Sequence, residues 1–302
     1  RDLAKEYEPG AFILHEETLR NPHTPLYVIV LAPLSFLSYQ AARVVLILVS
    51  AAALIAAIAI VLRNQGKPWW LAVGVLAIPA VHYELLYGQL MGVMLLTFVL
   101  AWSQAQVGHD IRAGVFLGFA TALKLFPILL LPFLLKSRRW RLAGWFLASA
   151  LVLSVTGVAI LGGESAGRSW VNASTSNLEF WGTSVGNLSF AGYLARLYGR
   201  WHLLFGLIGA GIAAFLVSSG RDLWDAMPWL VLGSPLAWLH YGVLIIPSII
   251  QSRALALVGS IPILIPVTSA PLAFVGPVFT VCLIIVGWRR RRMLTEDSIE
   301  IA

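Results

Sequence analysis

Charge is scarce in this chain. Asp, Glu, Lys and Arg make up 12% of its 302 residues, whereas 59% are hydrophobic, and apolar runs recur from about residue 25 to residue 288. So few charges exclude a soluble globular domain, and apolar runs of about 20 residues are typical of membrane-spanning helices. The sequence therefore predicts an all-α, polytopic integral membrane protein with a single transmembrane domain.

Cysteine and the usual metal and nucleotide motifs are also missing. Cys282 is the only cysteine, which excludes an internal disulfide and a multi-thiolate metal site. The six histidines and fourteen acidic residues form no HExxH and no DxD motif, and neither a P-loop sequence nor GxGxxG occurs. We therefore expect no bound metal or other cofactor, no ATP hydrolysis and no dinucleotide site.

The basic residues predict the topology. The net charge is +7, but Lys and Arg lie in short clusters at the ends of apolar runs, which indicates cytoplasmic loops rather than a nucleic-acid surface. These clusters are Arg63 with Lys67, Arg112, Lys136 to Arg141, Arg221, Arg253 and Arg289 to Arg292. Four arginines do not fit this charge bias towards cytoplasmic loops: Arg43, Arg168, Arg196 and Arg200.

The apolar runs differ in length and in their interruptions. Full or nearly full spans are 44–62, 142–161, 201–218 and 271–288, short ones are 69–83, 90–102 and 254–268, and 25–37 is expected to be re-entrant or interfacial. Lys124 and Pro127 interrupt the run 113–135, and residues 234–241 interrupt 227–250. Because polar groups and prolines at membrane depth favour broken helices that line protein or a water-filled cavity, we expect a break in each.

The charge bias divides the chain into five parts. We expect an outer loop at 1–24, N-terminal helices over 25–162, an outer loop at 163–200, C-terminal helices over 201–288 and a cytoplasmic tail at 289–302. The acidic start, the turn Tyr87-Gly88-Gln89, Lys124 and the turn 238–241 then lie on one outer side. The polar segment after Arg1 also predicts a preceding transmembrane helix that this sequence does not include.

Two kinds of charged residue on this side are candidates for chemistry. Asp2, Glu6 or Glu8 is suited to act as general base for a sugar-acceptor hydroxyl, although solvated loop charge is the alternative. Lys124 is one of only four lysines and lies between apolar runs. Such a cation binds phosphate or a carboxylate, unless it is a snorkelling lysine at a helix end.

The segment 234–241 supplies an imidazole and an indole. His240 is suited to hydrogen-bond a phosphate and Trp238 to stack on a sugar or an isoprene chain, but an interfacial aromatic belt with a satisfied histidine explains them equally well. Four other polar residues are candidates for substrate binding, with a plain helix end or incidental loop polarity as the alternative: Glu84, Tyr87, Gln89 and Asn187.

Taken in order, these residues resemble glycosyltransferase family 87, the polyprenyl-phosphate-dependent enzymes of the GT-C superfamily that include mannosyl- and arabinofuranosyltransferases. The matching residues are Asp2-Leu3 with Tyr7, Thr24-Pro25-Leu26-Tyr27 with Pro33-Leu34, Tyr87-Gly88-Gln89, Gly114 to Leu125 with Lys124 and Pro127, Arg138 to Arg141, Gly186-Asn187-Leu188-Ser189 before Arg196-Leu197, and Ser234-Pro235 with Trp238 and His240. The family tends to have serine and a second histidine where this chain has Ala237 and Tyr241.

The resemblance implies a GT-C-like helical bundle with broken or re-entrant helices, truncated at its N-terminus. It also implies an inverting hexosyl- or pentosyltransferase in which Asp2, or else Glu6 or Glu8, is the catalytic base. The sugar, mannose or arabinofuranose, would pass from a polyprenyl-phosphate donor to a glycolipid or polysaccharide hydroxyl at the outer face of a bacterial plasma membrane. Lys124 and His240 would offset the charge of the leaving phosphate without a metal.

Other classes of membrane protein share part of this pattern. A lipid-linked-sugar flippase or a small-solute transporter also has broken helices and central polar residues, although no convincing internal repeat favours either. A non-catalytic membrane subunit would leave the clustered outer polar residues unexplained.

Overall fold

The computed structural model describes residues 23–76, 78–184, 187–198, 202–220 and 222–251, and this part of the chain contains helices and no strand. The α-helices are α1 Pro25–Leu31, α2 Tyr39–Asn64, α3 Leu71–Val75, α4 Pro79–Tyr87, α5 Met91–Gln106, α6 Asp110–Leu123, α7 Leu131–Lys136, α8 Trp140–Ile160, α9 Glu164–Trp181, α10 Phe190–Tyr198, α11 His202–Ser218, α12 Leu223–Gly233 and α13 Ile246–Ile250. Short 3-10 helices cover Ala32–Phe36, Phe126–Leu130 and Leu239–Ile245. The predictions for 254–268, 271–288, Cys282 and the acidic start lie outside the described residues.

The helices confirm a polytopic membrane protein. By length and apolar composition α2 and α8 are able to cross a membrane, and α4 with α5 is a third candidate, bent by 119° at the break between the two helices. Helix α11 and the segment Pro25–Phe36 are apolar but shorter. The predicted spans 44–62 and 142–161 thus correspond to α2 and α8. The run 25–37 contains a short helical segment, and its re-entrant or interfacial placement stays a prediction.

Small residues bring the first helices together. Helices α2, α5, α6 and α8 pack in that order, each against the next. A Cβ at Gly114 would come within 2.7 Å of the Trp145 side chain, and one at Gly118 within 2.7 Å of the Ala150 nitrogen. This spacing of two glycines four residues apart is typical of close helix packing in membranes. The α6–α8 contact therefore depends on the absence of both side chains.

Both predicted breaks are present. Helix α6 ends at Leu123, Lys124 adopts extended backbone angles, and a 3-10 helix with Pro127 leads into α7. Helix α12 ends at Gly233, and residues 234–238 connect it to the 3-10 helix Leu239–Ile245. Each break includes a proline, which has no N–H to donate to a continuous helix and disfavours helical angles in the preceding residue.

The bundle has a basic end. The Asn64 amide donates to Ser103 at 3.1 Å, and Arg139 donates to the Ala105 carbonyl at 2.8 Å while lying 3.7 Å from Asp110. These contacts bring together the ends of α2 and α5 and the starts of α6 and α8. The other end of α6, at Leu123, is about 20 Å away for a helix of this length.

The segment 163–200, predicted as an outer loop, contains α9 and α10. Helix α9 packs on α1, α8 and α11, and α10 packs on α11 and α12. Both are amphipathic rather than uniformly apolar, with Ala166 and Ala173 of α9 buried. The high serine and asparagine content of α9 makes its sequence look like a loop, because these residues favour caps and turns.

Candidate functional site

A cavity of about 420 Å³ lies where the two broken helices meet. Four of the predicted site residues line it: Gln89, Lys124, Trp238 and His240. They come from the α4–α5 corner, the α6 break and the segment after α12. The convergence of these segments, which the charge bias predicted for one side of the membrane, is therefore present as a shared cavity.

Lys124 lies at the α6 break and has no acidic partner within the described part of the chain. Its ammonium donates to the Tyr241 hydroxyl at 3.2 Å and lies 4.6 Å from the centre of the Tyr241 ring. Among the described residues no carboxylate lies within ion-pair distance of this ammonium. A half-buried cation that is partnered only by neutral groups is suited to bind an anionic ligand.

Thr24 secures the end of α6 beside this lysine. Its hydroxyl lies 2.6 Å from the Ala122 carbonyl oxygen and 2.9 Å from that of Leu123, and its oxygen accepts a longer bond from the Tyr27 N–H. The last carbonyls of a helix have no partner within the helix, so the buried Thr24 hydroxyl supplies the hydrogen-bond donor that these carbonyls need. Thr24 thereby joins the start of α1 to the cavity.

Asn187 and Ser189 hold the segment after α12. The Asn187 amide donates to the Pro235 carbonyl at 3.2 Å and accepts from the Ala237 N–H at 3.1 Å, while the Ser189 hydroxyl donates to Pro235 at 3.0 Å. Asn187 is fully buried and is not in the cavity lining. Its position indicates that it replaces the helical hydrogen bonds that the break removes.

Glu84 has a comparable position at the α4–α5 corner. It is fully buried, and its Oε1 accepts from the Ser50 hydroxyl at 2.6 Å and from the Gly92 N–H at 3.1 Å. A Cβ at Gly92 would overlap the Ser50 backbone, so the corner needs a glycine there. Glu84 therefore fixes the start of α5, two residues after Gln89, and is not among the residues that line the cavity.

The residues of the turn 87–89 lie in different environments. Gly88 has a left-handed φ of 59° and ends α4, which allows the chain to reverse before Gln89 enters the cavity wall. Tyr87 is 59% exposed, is outside the cavity lining and packs on Tyr83. The structure thus brings Gln89 to the site and leaves Tyr87 on the surface.

Two histidines lie in the cavity wall. His240 is buried, and its ring centre is 5.1 Å from that of Tyr241. His23, which precedes α1, stacks on Tyr27 at 4.0 Å. Burial and, as a smaller cause, the Lys124 ammonium lower the pKa of His23 to about 3, so this imidazole is neutral at physiological pH.

Sequence reasoning did not select the residues that α9 contributes. Trp170, Ser174 and Trp181 line the cavity. Their spacing of four and seven residues places them on one helical face, which is the signal that an amphipathic analysis of 163–200 would have found. Asp2, the predicted base, lies outside the described residues, as do Glu6 and Glu8.

No metal site is evident in the described segments, since they contain no group of three or more His, Cys, Asp or Glu side chains placed to hold an ion. The expectation of a reaction without a bound metal stays a prediction.

The chain was also compared with known proteins. The sequence model of glycosyltransferase family 87 matches residues 22–227, which is more than half of the chain and includes Lys124, Asn187 and α9. No curated protein and no solved structure matches it significantly. Together with the apolar helices and the cavity at their breaks, this match shows that the chain belongs to glycosyltransferase family 87 and is a membrane glycosyltransferase.

Proposed function

We propose that the protein transfers a sugar, mannose or arabinofuranose, from a polyprenyl-phosphate donor to a hydroxyl of a glycolipid or polysaccharide. The reaction takes place in the cavity at the helix breaks, on the outer face of a bacterial plasma membrane. The donor's phosphate binds beside Lys124 and His240. Asp2 acts as the general base for the acceptor hydroxyl.

The position of Lys124 is the observation that carries this proposal. A lysine at the end of an apolar helix is costly unless it is solvated or paired, and this one lies in a cavity wall next to a neutral phenol. A phosphate monoester is an anion that such an ammonium binds as a point charge. The cavity therefore supplies the cation that a phosphate leaving group requires.

The reaction balances without any further reagent. The acceptor oxygen forms a bond to the anomeric carbon as the bond from that carbon to the phosphate oxygen breaks, with inversion at the carbon. The acceptor proton passes to the Asp2 carboxylate, and the phosphate leaves on its polyprenyl chain. Lys124 and His240 stabilise the negative charge that grows on the leaving oxygen.

The apolar part of the lining suits a lipid-linked donor. Leu125 follows Lys124 directly, lines the cavity and is 49% exposed, and Leu236 lies beside the other break. A polyprenyl chain held along these residues stays in an apolar environment while its phosphate reaches the ammonium. A nucleotide-sugar would instead need groups to bind its base and its diphosphate.

The two ends of the bundle support this orientation. The basic end, where Arg139 and Lys136 cap carbonyls, is the cytoplasmic end by the positive-inside rule. Lys124 lies at the far end of α6 and is therefore on the outer side. Lipid-linked donors that have already crossed the membrane are accessible there.

The test is a transfer assay with the purified full-length protein and three classes of labelled donor: polyprenyl-phosphate, polyprenyl-diphosphate and nucleotide sugars. The proposal expects transfer only from the monophosphate donors, without added metal, and loss of transfer in Asp2→Asn with protein yield unchanged. Glu6→Gln and Glu8→Gln are the matched controls. Transfer from a nucleotide-sugar alone would overturn the donor assignment, and normal activity of Asp2→Asn would overturn the base.

A further inference from the structure

Helix α9 presents one face to the cavity. Trp170, Ser174, Leu178 and Trp181 follow one another at intervals of four, four and three residues, and all four line it. This periodicity is that of a single helical stripe. Two of the three charged residues of α9, Glu164 and Arg168, are exposed and pair with each other, and the third, Glu179, is also exposed. The stripe is therefore the part of α9 that faces the cavity.

The chemistry of this stripe differs from that of the wall beside Lys124. It offers two indole rings, the Ser174 hydroxyl and, next to it, the Thr175 hydroxyl, which donates to carbonyls of its own helix. Asn177 also lines the cavity, and none of these side chains carries a formal charge. An anion needs a cationic partner, and a lipid chain needs no hydroxyl groups. A neutral sugar ring matches both features, because its C–H face packs on an indole and its hydroxyl groups bond with hydroxyl side chains.

Both indoles are fixed before any ligand binds. Trp170 packs against the cluster formed by Val28, Leu161, Ala166 and Ala173. Trp181 meets Trp238 edge to face, with ring centres 5.5 Å apart. Rings held in place by packing lose little side-chain entropy on binding, which favours affinity. Trp238 lies two residues before His240. Trp181, the last residue of the stripe, is therefore next to the proposed phosphate position.

We infer that the cavity-facing stripe of α9 is the acceptor subsite and that it binds the carbohydrate part of the acceptor through a neutral sugar ring. This inference rests on the proposed function, which assigns the side of the cavity beside Lys124 and His240 to the donor. The sugar lies against Trp170 and Trp181, and its reactive hydroxyl points towards the anomeric carbon of the donor.

Transfer kinetics on purified full-length protein test the assignment, with octyl glycosides of mannose, glucose and arabinofuranose as acceptor probes. Ser174→Ala is expected to raise the acceptor KM about 2- to 12-fold, the range of one neutral hydrogen bond, with the donor KM unchanged. Trp170→Leu is expected to raise it more, and Trp170→Phe to restore part of the loss. Asn172→Ala, an exposed change on the same helix, should alter neither KM.

Binding measured without turnover separates this inference from the proposed function. Ligand-observed NMR with methyl glycosides should show contact with the wild type and a weaker effect in Ser174→Ala and Trp170→Leu. If these glycosides bind in this way but no polyprenyl-phosphate donor supports transfer, the α9 site stands and the proposed function fails. A rise in donor KM, unchanged kinetics in both variants or no glycoside binding by the wild type would overturn the inference.

Discussion

The Lys124 ammonium donates a hydrogen bond to the Tyr241 hydroxyl at 3.2 Å, across 117 positions of sequence. This contact connects the break after α6 to the break after α12. The Tyr241 oxygen accepts this hydrogen bond, so the Tyr241 O–H can itself donate to a ligand in the cavity. One phenol thus positions the cation and adds a neutral donor beside it.

Removal of the Lys124 charge should reduce transfer strongly. Lys124→Met keeps the length of the side chain but removes the ammonium, and a charge-assisted hydrogen bond contributes about 1.5–3 kcal/mol, or about 10- to 150-fold in kcat/KM. Lys124→Arg should retain more activity than Lys124→Met, because it keeps the positive charge. Steady-state kinetics measure the effect, and equal activity of Met and Arg variants would show that charge is not what the site uses.

Loss of the Tyr241 hydroxyl should have a smaller effect. Tyr241→Phe preserves the ring over which Lys124 lies and the contact with Phe126, at 5.3 Å between ring centres, but removes one neutral hydrogen bond. A decrease of about 2- to 12-fold in kcat/KM corresponds to such a loss. The thermal midpoint in detergent should change little, and a large fall in that midpoint would indicate that the hydroxyl serves packing instead.

The two breaks were predictable because a proline beside a polar residue inside an apolar run contradicts a continuous helix. The convergence of Gln89, Lys124, Trp238 and His240 followed from the charge bias of the loops. The structural roles of Glu84 and Asn187 could not be predicted from the sequence. A Glu that anchors a helix by bonding to Ser50 and a Glu that binds substrate look the same in a sequence, and the same is true of an Asn. Tertiary partners decide between these roles, and a single sequence does not contain them.

Two of the four arginines that did not fit a cytoplasmic placement have local explanations. Arg43 donates to the Leu86 carbonyl at 2.8 Å, and Arg196 donates to the carbonyls of Ser184 and Asn187. Both cap backbone groups near the ends of α4 and α9. Both arginines therefore have a local structural role that does not depend on the membrane topology.

Asn187→Ala should destabilise the protein. The amide joins Pro235 and Ala237 to the segment before α10, and each buried group left without a partner costs about 1–3 kcal/mol. The thermal midpoint in detergent should fall, and activity should fall with it because Trp238 and His240 follow directly. An unchanged midpoint, equal to that of the exposed control Asn172→Ala, would contradict the bridging role.

At Glu84, charge and hydrogen bonding can be separated by substitution. Glu84→Gln retains an oxygen that accepts from Ser50 and Gly92, whereas Glu84→Ala leaves both donors buried and unpaired, at a cost of about 1–3 kcal/mol for each. We expect a clearly lower unfolding midpoint for Ala and a small change for Gln. If Gln abolishes transfer while it unfolds normally, Glu84 acts through its charge and not as an anchor.

His23 should not contribute to the pH dependence of the reaction. Its pKa of about 3 lies below the usual value near 6.5, so the ring stays neutral from about pH 5 to pH 8. His23→Gln should therefore leave the position of the pH profile of kcat/KM unchanged, whatever its effect on the rate. An acid limb near pH 6.5 that disappears in the variant would show that His23 is protonated in the working enzyme.

The most direct test of the central claim is a cryo-electron microscopy structure of the full-length protein with a polyprenyl phosphate bound. We expect the phosphate in the cavity between the two breaks, within hydrogen-bond distance of the Lys124 ammonium and beside His240, with the lipid chain leaving past Leu125. A phosphate bound elsewhere, with Lys124 still donating only to Tyr241, would contradict the assignment of this cavity as the donor site.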